Sequence, residues 1–185
     1  MVLPRKTIQE EQPLAPGYTW APYNPDLRQP WARLMVETGL VKDEEAGLAQ
    51  WDKMEQEDPE KLREHFRFIL GPDNDLAATA GLFPGHDFPG RLRLHWVATS
   101  LNHQHKGLAR TLITALAREY DAMPGSYPLY LSTQSQSYGA IKLYSRLGFQ
   151  PYMGAYESHT REQSEEDWKT VTDILRQTEE NSRTR

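Results

Sequence analysis

At Phe66 the hydrophobic period of this chain changes from that of a helix to that of a strand. Upstream, Trp31, Leu34 and Met35 recur at helical spacing. The stretch from Asp43 to about Glu64 also reads as helix, broken near Asp58-Pro59 because a residue before proline is pushed out of the helical region. Downstream, Phe66, Phe68 and Leu70 alternate with Arg67 and Ile69, and two further strands follow at Leu76 to Phe83 and Arg91 to Thr99. Turns at Pro72-Asp73-Asn74-Asp75 and Pro84-Gly85 to Pro89-Gly90 separate them. Three strands in succession with short turns predict an antiparallel meander.

After the meander the order alternates. Ser100 to Lys106 is a polar loop, and Leu108, Leu112, Ile113, Leu116 and Tyr120 form one helical stripe stopped by Pro124-Gly125. Leu129 to Thr133 reads as a strand reached through a helical crossover, hence parallel to the strand before that helix. A helix from Tyr138 to Leu147 ends at Gly148, a last strand is expected from Phe149 to about Glu157, and Ser164-Glu165-Glu166-Asp167 is expected to open a final helix whose apolar face is Trp168, Val171, Ile174 and Leu175. At the other end, residues 1 to about 15 read as a loose, proline-interrupted arm. Gly17 to Tyr23 reads as a short strand, and Asn24-Pro25-Asp26 as a helix start with Asp26 as cap. The plan is α+β: an arm over 1–16, one domain over 17–160 with a mixed sheet (meander plus parallel β-α-β pair) flanked by helices, and a helix with a charged tail over 161–185, frayed after Thr178.

Composition narrows the chemistry. There is no cysteine, which removes disulfides, a thiol nucleophile and a cysteine-based zinc site. The net charge of −5 speaks against a nucleic-acid binder. No apolar run approaches the roughly 20 residues of a membrane helix, and no signal-peptide core follows Met1, so a cytoplasmic setting is expected.

The stretch that carries chemistry is Gln104-His105-Lys106-Gly107-Leu108-Ala109, between a strand and an amphipathic helix. A helix start leaves backbone N–H groups unpaired and its dipole favours anions, so a pyrophosphate can take several of them at once. Gly107 and Ala109 allow close approach, while Lys106 and Arg110 add positive charge. The Gly-Lys-Ser/Thr of nucleotide hydrolases is absent, and the dinucleotide fingerprint does not fit. On these residues alone, an ordinary loop whose glycine relieves a turn is the competing reading.

The run from Val97 to Ala109 resembles the acetyl-CoA motif of the GNAT superfamily, Gln/Arg-x-x-Gly-x-Gly/Ala. Ala140-Ile141-Lys142-Leu143-Tyr144-Ser145-Arg146-Leu147-Gly148-Phe149 resembles its second motif, Ala-x-x-Leu-Tyr-x-x-x-Gly-Phe. The resemblance covers about residues 17 to 157 and implies the GNAT acyl-CoA N-acyltransferase fold, with acetyl-CoA as cosubstrate, no metal, and a primary amine as acceptor, a small molecule in preference to a protein. It implies that backbone N–H groups of Val97, Ala98 and Thr99, on the fourth strand where it splays from the fifth, bind pantetheine and the thioester oxygen. Gln104, His105, Lys106, Gly107, Leu108, Ala109 and Arg110 would hold the pyrophosphate. Ser137 stands where an asparagine often meets the pantetheine arm, and Leu101 where a proline is frequent. Tyr144 corresponds to the usual general acid, and it also suits a packing or pantetheine-contacting role.

His95 is the candidate base: an imidazole with an ordinary pKa of about 6.5, expected on the same face as Val97 two residues on, with a hydrogen-bonded structural histidine as the alternative. His103 and His105 form a His-x-His without an evident third ligand and read as loop residues. Tyr18, Trp20, Tyr23 and Trp31 suit either an acceptor pocket or the core. The acidic stretch Asp43 to Glu60 is either a solvated face or a guide for a cation. The expected function is direct acetyl transfer in a ternary complex. The competing readings are a silent acyl-CoA-binding module on the same fold and an acyltransferase for longer chains. The family forms homodimers often, and the last helix has its own domain or a second subunit to pack against.

Overall fold

A computed structural model describes residues 1–134, 137–156 and 159–183, with 177–183 described by backbone alone. Strands β1 (Val2–Leu3) and β2 (Thr19–Ala21) precede helices α1 (Arg28–Glu37), α2 (Glu44–Glu57) and α3 (Pro59–His65). The meander follows as β3 (Phe66–Leu70), β4 (Leu76–Pro84) and β5 (Leu92–Thr99); then come α4 (Leu108–Ala122), β6 (Leu129–Tyr130), α5 (Tyr138–Arg146) and α6 (Arg161–Arg183). The six strands form one sheet in the order β1-β6-β5-β4-β3-β2, antiparallel except for the β5–β6 pair. This is the mixed sheet expected from the alternation of elements. The fourth strand of the sequence reading is β5, and the fifth is β6.

The sheet is covered on both faces, so its central strand β4 is buried without a break from Ala77 to Phe83. One core cluster joins Leu108, Leu112, Ile113 and Leu116 of α4 to Ile141 and Tyr144 of α5 and Val171 of α6. Trp168 and Leu175 pack against it, so the apolar face of the last helix closes on its own domain. A second cluster, on the opposite face, joins Trp31, Leu34 and Met35 of α1 to Trp51 and Met54 of α2, Leu62 of α3, and Phe66 and Phe68 of β3. Truncating a fully buried residue of such a cluster, such as Trp31 or Trp51, typically costs about 3–5 kcal/mol.

Four local expectations are corrected. The N-terminal arm is laid into the sheet: Val2 pairs with Tyr130 on one side and bridges to Gln150 on the other, and Leu3 is buried. The arm is anchored by Arg5, whose Nη2 donates to the carbonyls of Tyr120 (2.8 Å), Asp121 (3.1 Å) and Met123 (2.5 Å) at the end of α4. A guanidinium there satisfies orphan carbonyls and meets the negative end of the helix dipole. The strand expected after Phe149 is reduced to two bridges, because Val2 occupies the pairing position at Gln150; Glu157 lies outside the described residues. The first helical turn is capped by Asn24, whose side chain accepts from the Asp26 N–H at 3.0 Å, since Pro25 takes the first helical position. The last helix starts at Arg161 with a reciprocal box, Thr160 N–H to Gln163 and Gln163 N–H to the Thr160 hydroxyl, three residues before the expected one.

Candidate active site

The site is organised by one irregularity in β5. Ala98 pairs with Thr79 and His95 with Gly81, so β5 spends three steps where β4 spends two. The extra residue is accommodated at Trp96, whose φ is 53°, as in a β-bulge. Its ring is held edge-on against Trp31 at 5.4 Å on the α1 side, which fixes the bulge from outside the strand. The bulge reverses the alternation of faces: Leu94 and Val97 belong with the α4–α5 cluster, whereas Trp96 and Ala98 belong with the α1–α2 cluster. His95, stacked on Trp96 at 4.7 Å, stands on the α1–α2 face and does not share the face of Val97, contrary to strict alternation.

Beyond the bulge β5 loses its parallel neighbour. Among the described residues, Arg93 opposite Tyr130 is the one registered pair between β5 and β6. The strands therefore part just before His95, and the edge of β5 from Val97 to Thr99 faces the gap. On this stretch the Thr99 hydroxyl is buried without a hydrogen-bond partner.

The same strand leads into the anion loop. Ser100 to His103 is pinned from two sides. Glu37 at the end of α1 accepts from the Ser100 hydroxyl (2.9 Å) and the Leu101 N–H (2.7 Å). His103, 9% exposed, lies 2.8 Å from Asp75 through Nε2 and 3.0 Å from the Tyr18 hydroxyl through Nδ1. His103 is thus a scaffold for the loop, while His105 is exposed and the pair do not converge. Next, His105 (φ 62°) and Gly107 (φ 79°) both adopt left-handed backbone, a turn that directs successive N–H groups to one side. Helix α4 begins at Leu108 with no side chain capping it, so the first N–H groups, at Leu108, Ala109 and Arg110, are left to an outside acceptor. Gln104, Lys106 and Arg110 are exposed around them.

Tyr144 and His95 lie on opposite sides of the sheet. Tyr144 belongs to the α4–α5 cluster, is 7% exposed, and packs on Phe149 at 5.6 Å; burial pushes its phenol up to about 12. Ser137 sits at the N-cap of α5 with no capping bond from its side chain. The His95 imidazole is pushed down to about 3 by burial first, then by the charge of Arg93 and by His86. Arg93 Nη2 reaches His95 Nε2 at 2.7 Å, and its Nη1 donates to Asp87 at 3.1 Å. At neutral pH His95 is therefore an uncharged ring with a guanidinium against one nitrogen. Asp87, Arg93 and Ser132 were not singled out in the sequence; Arg93 and His95 at i and i+2 share a face by the strand period, which is the one signal that linked them.

The aromatics of the N-terminal third do not gather in one pocket. Trp31 is fully buried in the core, Tyr18 contacts His103, and Trp20 and Tyr23 border a separate cavity of about 690 Å³ with Arg63 and Arg118. No helix among the described residues is long and apolar enough to cross a membrane.

Comparison with known proteins bears on the family and the fold. The family model described as "Acetyltransferase (GNAT) family" matches residues 17–149. Among solved structures, a protein from Desulfovibrio desulfuricans assigned to the GNAT family is 21% identical, with a TM-score of 0.55 over 73% of this chain and 86% of that one. A GCN5-related N-acetyltransferase from Sphaerobacter thermophilus gives 0.61 at 14% identity over 75% of this chain and 45% of its own. The aminoglycoside N-acetyltransferase AAC(6')-Iy in complex with CoA gives 0.57 at 16% identity over 78% and 95%. At these identities the structures show the fold alone. No curated protein matches the chain by sequence. With the family model spanning both motifs and the whole sheet from β2 to β6, the chain belongs to the GNAT acetyltransferase family.

Proposed function

We propose that the protein transfers the acetyl group of acetyl-CoA to a small primary amine by direct attack in a ternary complex. The observation that carries this reading is the succession of elements: β5 ends at the gap at Val97–Thr99, and the pinned loop from Ser100 leads directly to the uncapped start of α4, a track from thioester to pyrophosphate. In this reading N–H groups of Val97, Ala98 and Thr99 meet pantetheine and the thioester oxygen, where one preorganised donor is worth about 3–4 kcal/mol to the transition state. Gln104 to Arg110 hold the pyrophosphate and Ser137 borders the pantetheine arm.

Tyr144 and His95 stand on opposite faces of the sheet, and in this reading each serves a different part of the transfer. The amine nitrogen bonds to the carbonyl carbon, the C–S bond breaks, Tyr144 supplies a proton to the departing sulfur, and the new amide nitrogen loses one. A phenol raised to about 12 stays protonated throughout the neutral range, as an acid must. His95 enters in a narrowed role. Arg93 donates to Nε2, the one acceptor nitrogen of the neutral ring, so His95 positions the site as a donor through Nδ1 and the amine proton goes to water. The absence of cysteine fits a path without a thioester on the enzyme.

The test is calorimetry with acetyl-CoA followed by thiol release over a panel of amines. Micromolar binding with release for at least one amine is expected. Binding without release from any amine would favour the alternative, an acyl-CoA-binding module; the low basicity of His95 is what keeps that alternative in play.

A further inference from the structure

A cavity of about 330 Å³ lies between the end of β6, the loop before β5 and the first turns of α6. That volume is at the lower end of the roughly 300–1,000 Å³ of small-molecule sites. Five of its lining residues are aromatic: Phe88, Tyr130, Tyr152, Tyr156 and Trp168. Phe88 is the hub, edge-on to Tyr130 at 4.9 Å and to Tyr152 at 5.3 Å.

Its inner wall is linked to His95 through side-chain contacts. Ser132 lies two residues past Tyr130, the last residue of β6 in register with β5, where the two strands part. Its hydroxyl donates to Asp87 at 2.9 Å, and the same carboxylate holds Arg93, which contacts His95. Asp87 and Ser132 line the cavity, and Arg93, outside the lining, joins that carboxylate to His95.

Charge restricts the occupant. Asp87 is already answered by Arg93, and Arg91 lies over the rings of Phe88 (4.6 Å) and Tyr130 (5.3 Å), occupying the aromatic faces that would attract a cation. The remaining carboxylate is Asp167, at the outer side, 67% exposed and 3.7 Å from His159. A polycation would find one carboxylate for several charges. A single amine on a flat apolar body matches the wall.

We infer that this cavity is the acceptor pocket and that it selects a primary monoamine carried on an aromatic or comparably flat apolar body, against polyamines. The inference rests on the transferase reading above. The experiment titrates protein saturated with desulfo-CoA with 2-phenylethylamine and with spermidine by calorimetry, then measures thiol release from acetyl-CoA with each, for the wild type, Tyr156→Ala and Asp167→Asn. The expected result is 2-phenylethylamine bound at least roughly tenfold more tightly than spermidine. Tyr156→Ala weakens it about tenfold with CoA affinity, which reports an intact fold, unchanged. Spermidine binding equally or better, or affinity indifferent to Tyr156→Ala, overturns the pocket. Selective, Tyr156-dependent binding without thiol release upholds the pocket and overturns transfer, whereas release that ignores Tyr156 upholds transfer and overturns the pocket. Asp167→Asn, on an exposed carboxylate, provides a second variant: it should leave the preference for 2-phenylethylamine and widen the margin over spermidine.

Discussion

His95 and Val97 stand two residues apart on β5 and face opposite sides of the sheet, because Trp96 between them turns its backbone to a φ of 53°. Left-handed backbone costs a residue with a Cβ about 1–2 kcal/mol, and the indole on Trp31 offsets it. Trp96→Ala removes the ring and keeps the strain, whereas Trp96→Gly removes both. The expected order is therefore inverted from the usual one in strands: the glycine variant is the more stable of the two, by about 1 kcal/mol, in urea denaturation.

The depressed His95 imidazole makes stability depend on pH with a definite sign. In the unfolded chain the ring takes a proton near its ordinary value of about 6.5, in the folded protein only at about 3. Between those values the unfolded state binds more protons, so this group's contribution is complete above about pH 6.5 and is lost as pH falls toward 3. His95→Asn should flatten the acid side of a plot of unfolding free energy against pH. Arg93→Met should raise the imidazole part of the way, since burial is the larger cause, as followed by proton NMR of the His95 ring.

Tyr144→Phe tests the acid with little change of shape. If the phenol protonates the leaving sulfur, kcat falls about 10²-fold or more while acetyl-CoA affinity holds. The wild-type profile should show no loss attributable to this phenol until pH approaches 12, because burial opposes its ionisation. Turnover at the wild-type rate would reduce Tyr144 to packing against Phe149.

Gly107 separates conformation from occlusion. An added Cβ there meets nothing within 4 Å, but the φ of 79° is unfavourable to any other residue. Gly107→Ala should cost about 1–2 kcal/mol in stability and retain measurable acetyl-CoA binding. Gly107→Glu adds a carboxylate beside the N–H groups of α4 and should abolish binding by calorimetry. Unchanged affinity in the glutamate variant would move the pyrophosphate elsewhere.

Most of the sheet and both family motifs were legible along the chain because they are local: the switch of period at Phe66, the stripe from Leu108 to Tyr120, and the stop at Gly148 each declare themselves within a few residues. What was not legible depends on distant partners. The bulge at Trp96 is held by Trp31, so the face of His95 could not be read from alternation alone. The network from Ser132 through Asp87 and Arg93 to His95 joins three separate segments. The cap misplaced at Asp26 reflects proline's claim on the first helical position, and the helix start misplaced at Ser164 reflects a choice between two overlapping capping boxes.

The pairing of Val2 with Tyr130 and Gln150 sets an order of assembly. Those first residues leave the ribosome long before either of their neighbours exists, and loop closure over so long a stretch of chain is entropically slow. The meander from β3 to β5 can form before Tyr130 and Gln150 are made, whereas the slot between them can take Val2 only afterwards.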